Sequence, residues 1–152
     1  MTHVTTPAFL GRAFFVMIPH LAELPPELYS GILTHVPREE RQRTTLSLAR
    51  AIPRSPVPLY HLFEYIRLKS AESVVLLYRR LRGRLEEPRW VQGFSLETWS
   101  VDADVVVNLV ALLSHLSSIT LFIGPNFAPE HMEEILEKPR EALRYISLRF
   151  RP

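Results

Sequence analysis

The hexapeptide at residues 116–121, LSSITL, decides how most of this chain folds. Its large apolar residues, Leu116, Ile119 and Leu121, occupy the first, fourth and sixth places. The same spacing occurs three more times: Phe63, Ile66 and Leu68 in FEYIRL, Val91, Phe94 and Leu96 in VQGFSL, and Leu143, Ile146 and Leu148 in LRYISL. The last members of successive sets are 28, 25 and 27 residues apart. Recurrence at a near-constant interval marks one structural unit repeated along the chain.

The segments between the sets read as helices. Residues 70–82, SAESVVLLYRRLR, place Val74, Leu77, Tyr78 and Leu81 at helical spacing. In residues 101–115, VDADVVVNLVALLSH, Asp102 suits an N-cap, and Val106, Leu109, Val110 and Leu113 line one side. Residues 129–138, PEHMEEILEK, carry proline and glutamate at the start and lysine at the end, which suits the helix dipole. The order is therefore strand, helix, strand, helix, strand, helix, strand. Strands joined through helices are expected to run parallel. An ordinary layered α/β domain with units of similar size satisfies the same order. The repeated apolar spacing favours a leucine-rich-repeat-like solenoid, whose units span roughly 20–29 residues. The asparagine expected three places after the last leucine of each unit is absent: those positions hold Ala71, Trp99, Gly124 and Arg151.

Upstream of the repeats the pattern differs. In residues 24–36, LPPELYSGILTHV, two prolines open a helix, and Glu27 favours its first turn. Leu28, Ile32, Leu33 and Val36 then read as one apolar face, and Pro37 stops the helix. Residues 39–50, EERQRTTLSLAR, read as a second helix with Leu46 and Leu48 as its apolar anchors. Pro53, Pro56 and Pro58 break the chain before the repeats begin.

The stretch LPPELYSGILTHVPREE resembles the F-box motif at Leu24, Pro25, Glu27, Leu28, Ile32, Leu33 and Val36. An F-box followed by leucine-rich repeats is the layout of substrate receptors in SCF-type ubiquitin ligases, and the chain also looks like F-box proteins of basidiomycete fungi. The later part of the motif departs from the family pattern: Arg41 stands where an apolar residue is usual, and LARAIPR lacks the usual aromatic. The resemblance implies an α/β chain in three parts. Residues 1–23 are an N-terminal extension, 24–52 an F-box-like helical module, and 59–152 a short leucine-rich-repeat-like solenoid of parallel strands and helices. It implies that Leu24, Pro25, Leu28, Ile32, Leu33 and Val36 contact a Skp-family adaptor, with Glu27 supporting the helix start. Through that adaptor the chain would reach a cullin, and the repeats would bind a protein substrate. The alternative is a non-ligase leucine-rich-repeat scaffold, with the N-terminal helices as its cap. The chain stops directly after its fourth strand, where an uncapped repeat edge is unfavourable for solubility. The expectation is a piece of a longer receptor, incomplete at its C-terminus.

Composition narrows the alternatives. The 152 residues are 47% hydrophobic, which supports a real core. The net charge of +2 does not call for nucleic acid. The arginines at 79, 80, 82 and 84 read as a solvated helix end. There is no cysteine, so disulfides, thiolate-bound zinc and a thiol nucleophile are excluded, compatible with a cytoplasmic or nuclear protein. Residues 8–18, AFLGRAFFVMI, are too short to span a bilayer and are interrupted by Arg12. No membrane partner is therefore expected.

No catalytic constellation stands out. The histidines at 3, 20, 35, 61, 115 and 131 are scattered. HMEEI at His131 lacks the second histidine of a zinc-protease helix. Asp102 and Asp104 are explained by a capped helix start. GPNF, residues 124–127, is a turn rather than a phosphate loop. Trp90 and Trp99 flank the second strand and read as core or edge filling. The expectation is a non-catalytic protein with no cofactor and no metal.

Overall fold

The computed structural model describes residues 22–52, 54, 56–137 and 141–151. The apolar stretch 8–18, nearly all of the expected extension, and Pro53 lie outside them. The chain divides after Leu59 into two compact units.

The first unit contains helices α1 (Pro26–His35) and α2 (Arg38–Ala51). Helix α1 starts behind an extended Pro25 and ends at an extended Val36, ahead of Pro37. Proline at the first turn loses only an N–H that would have no partner there. The other end is capped from α2. The Arg41 guanidinium donates to the carbonyls of Leu33 at 2.9 Å, Thr34 at 3.2 Å and Val36 at 3.3 Å. Helix C-termini leave carbonyls without intrahelical donors, and a cation there also meets the negative end of the dipole. Arg41 thus ties α2 to α1. The core of this unit is Tyr29, Leu33, Ile52 and Val57, with Leu24, Val36 and Leu48 packed against it. Leu46, expected as an anchor, is 38% exposed, whereas Thr45 is fully buried and donates to the Arg41 carbonyl at 2.8 Å.

A 3-10 turn at Leu59–Leu62 runs across the division, and β1 (Tyr65–Leu68) opens the sheet of the second unit. There follow α3 (Ala71–Leu81), α4 (Glu87–Trp90), β2 (Gly93–Leu96), α5 (Ala103–Leu112), β3 (Ser118–Ile123), α6 (Pro129–Glu137) and β4 (Tyr145–Phe150). Among the described residues the fold is mixed α/β, with six α-helices and one four-stranded sheet. All pairings are parallel, in the order β1-β2-β3-β4. Helix α3 packs on α5, and α5 on α6.

The register turns the sequence repeat into rows. Ile66, Phe94, Ile119 and Ile146 stand side by side, as do Leu68, Leu96, Leu121 and Leu148. These are the fourth and sixth places of the repeated hexapeptide. The first places belong to the same core, with Val91 and Leu116 fully buried and Phe63 and Leu143 packed at its ends. Strand β3 alternates half-buried and buried residues, so its Ile119, Leu121 and Ile123 face the helix layer. Val74, Leu81, Val106, Leu109, Val110 and Ile135 meet them from the helices.

Successive units are laced at both strand ends. Gln92 and Gly93 donate to the Glu64 carbonyl, Ser117 and Ser118 to Gln92, and Arg144 and Tyr145 to Ser117. At the missing-asparagine position, Gly124 approaches the Trp99 carbonyl oxygen so closely that a Cβ would collide with it. An asparagine does bind across the turns, two places later: Asn126 Nδ2 donates to the Val101 carbonyl at 3.0 Å. The short α4 is not apparent from the repeat spacing. It carries Glu87, which holds Arg80 through two hydrogen bonds of 3.0 and 3.3 Å while the guanidinium lies over the Phe63 ring. Arg80 is therefore tied down, whereas Arg79, Arg82 and Arg84 are exposed as expected of a solvated helix end. No helix among the described residues is long and apolar enough to cross a membrane.

Candidate functional site

The apolar residues of α1 do not behave as one face. Leu33 is fully buried in the core of the first unit, together with Tyr29. Leu28 and Ile32, one helical turn apart, are 52% and 53% exposed. Leu24 and Val36 are half-buried against the core, while Pro25 and Glu27 are exposed. The seven residues singled out in the sequence therefore separate into an outward set, Pro25, Glu27, Leu28 and Ile32, and an inward set, Leu24, Leu33 and Val36. Tyr29 was not among them, although its 2% exposure makes it part of the centre of this unit. Its place four residues before Leu33 is the signal that pairs the two.

The second candidate surface is the sheet face turned away from the helices. Because strand side chains alternate, the residues between the core positions line up on this face. One row is Tyr65, Gly93, Ser118 and Tyr145, and the next is Arg67, Ser95, Thr120 and Ser147. The Tyr65 ring lies over Gly93, where any Cβ would strike it. Tyr65, Arg67, Ser95, Thr120 and Tyr145 line an open cleft of about 240 Å³ in the middle of the face. Next to it, Arg67 Nε meets Glu97 Oε1 at 2.6 Å, and Ser95 Oγ donates to the same oxygen at 3.2 Å. Beyond this row, Trp99 stacks on Phe122 with ring centroids 4.6 Å apart, and the Arg149 guanidinium lies 5.5 Å from the Phe122 centroid. Trp99 therefore stands against the open face, whereas Trp90 pairs with Phe63 at 6.0 Å. Trp99 apart, none of the open-face residues is conspicuous in the sequence. Their signal is position: they are the variable places between the repeated apolar ones.

A third group surrounds His131. The Ala128 N–H donates to His131 Nδ1 at 2.9 Å, which places the ring proton on Nε2, 3.3 Å from Asp104 Oδ1. The histidine thus closes the first turn of α6 and links it to α5. Asp102 caps α5 by accepting from the Asp104 N–H at 3.0 Å. Both carboxylates have structural work here, and no group of three potential metal ligands occurs among the described residues.

No protein-family model, curated protein or solved structure matches this chain.

Proposed function

We propose that this chain is a substrate-recruiting adaptor of an SCF-type ubiquitin ligase. Its first unit docks on a Skp-family adaptor and, through it, on a cullin. Its second unit is a short leucine-rich-repeat-like solenoid that presents the open sheet face to a protein substrate. The observation that carries the docking half is the outward pair Leu28 and Ile32. Two large aliphatic side chains one turn apart on an exposed helix suit insertion into an apolar groove of a partner. The in-register stacking of the four hexapeptides supports the solenoid half, because each unit buries its apolar edge only against the next.

The test is a pull-down with a purified Skp-family adaptor, comparing wild type with a Leu28→Asp, Ile32→Asp variant. Leu33 is left intact, since a charge at that buried position would unfold the unit and mimic a lost contact. Binding by wild type and its loss in a variant with unchanged circular dichroism is the expected result. A folded wild type that does not bind removes the ligase role and leaves the scaffold reading.

A further inference from the structure

The open sheet face also carries information about what it holds. On the reading of that face as the substrate surface, we propose that it binds an extended acidic peptide segment, seated between Tyr65 and Tyr145. The face offers the hydroxyls of Ser118, Thr120, Ser147 and Tyr145 and the guanidinium groups of Arg67 and Arg149, while the Tyr65 hydroxyl donates to Gln92 at 3.5 Å and that of Ser95 to Glu97 at 3.2 Å. Guanidinium groups only donate, and hydroxyls donate readily to carboxylates. Glu97, beside the row, has one oxygen engaged by both Arg67 and Ser95. Arg149 makes no ion pair among the described residues and is exposed above Phe122. An incoming carboxylate therefore meets the Arg149 guanidinium on one flank and hydroxyl donors along the row, while Arg67 on the other flank is shared with Glu97.

The shape of the cleft points the same way. Gly93 lets the Tyr65 ring fold across it, and Ser118 forms the floor between that ring and Tyr145. A cleft of about 240 Å³ takes one or two side chains of an extended segment, whose peptide planes can pack against the rings. Nucleic acid fits less well. It gains affinity by neutralising several phosphates along its backbone, and this face presents two guanidinium groups, one of them shared with Glu97.

The experiment is selection from a random short-peptide display library on the immobilised full chain. A synthetic copy of a selected peptide and a single-stranded oligonucleotide are then titrated into wild type, Arg149→Glu and Tyr145→Ser. Both substituted residues are exposed, and circular dichroism confirms that the variants fold. The expected result is enrichment of clustered Asp and Glu, with binding roughly tenfold weaker in Arg149→Glu. No enrichment, enrichment of basic sequences, binding indifferent to both variants, or tighter binding of the oligonucleotide would overturn the proposal. The readout needs no Skp-family adaptor. Failure here leaves the docking of α1 standing, and failure of that docking leaves the peptide site standing.

Discussion

Ile32 in the first unit and Ile119 in the second both sit in regular apolar patterns, yet Ile32 is 53% exposed and Ile119 is 2% exposed. The difference lies in how each element presents its side chains. In a strand, residues two apart share a face, so Ile119 and Leu121 must face the same way. Sheet register then stacks them on Phe94 and Leu96, and the helix layer covers both rows. In α1 successive residues are about 100° apart around the axis. Leu28 and Ile32 form one ridge, and Tyr29 and Leu33 form the next. The core of the first unit takes up the second ridge and leaves the first in solvent. An apolar pattern thus identifies a buried surface when a sheet fixes the direction, and only a set of candidates when a lone helix carries it.

The strongest way to break this comparison is to truncate one leucine from each unit. Leu109→Ala, at a fully buried position facing the sheet, is expected to cost the second unit about 2–5 kcal/mol. Leu28→Ala is expected to stay within about 0.5 kcal/mol, because its side chain is already half in water. Denaturant unfolding of both variants measures the contrast, and equal losses would contradict the division drawn here.

The lacing between repeats gives a second, smaller contrast. Gly124→Ala forces a Cβ against the Trp99 carbonyl, a backbone atom that cannot move without shifting a neighbouring turn. The expected loss is about 1–3 kcal/mol. At Gly93 the obstacle is the Tyr65 ring, the far end of a rotatable side chain, so Gly93→Ala should cost less. Thermal melts that place Gly93→Ala below Gly124→Ala would show that the sheet face, not the turn, is the tighter joint.

The smallest effect sharpens the reading of the repeats as helix-and-strand units with their own start signals. Asp102→Ala removes the side-chain acceptor for the Asp104 N–H at the start of α5. A loss of about 1 kcal/mol is expected by urea titration. An unchanged midpoint would mean that packing of α5 alone holds its first turn.

Much of the second unit was legible before any coordinates. Three helices, four strands and their parallel order follow from one hexapeptide spacing, because alternation and interval leave few other arrangements. Residues at the polar places of the same hexapeptides were less informative. Tyr65, Ser95, Thr120 and Tyr145 are ordinary in sequence, and only sheet register sets them around one cleft. Asn126 likewise looked like a turn residue, and the neighbouring repeat supplies the carbonyl that gives it a role.

The first unit shows the opposite balance. Its two helices are written locally, in Pro25, Pro26, Glu27 and Pro37, since backbone restriction and end charges act within a single turn. Which ridge of α1 turns inward, and what Arg41 reaches, is not written locally. Tyr29 and Leu33 are buried because Ile52 and Val57 return to them from beyond α2. Arg41 reaches the end of α1 because the bend at Pro37 brings α2 beside it. Where elements begin, end and repeat depends on near neighbours along the chain, so it is written in the order of residues. Which side chains face water depends on residues distant in sequence and adjacent in space, so it emerges with the packing.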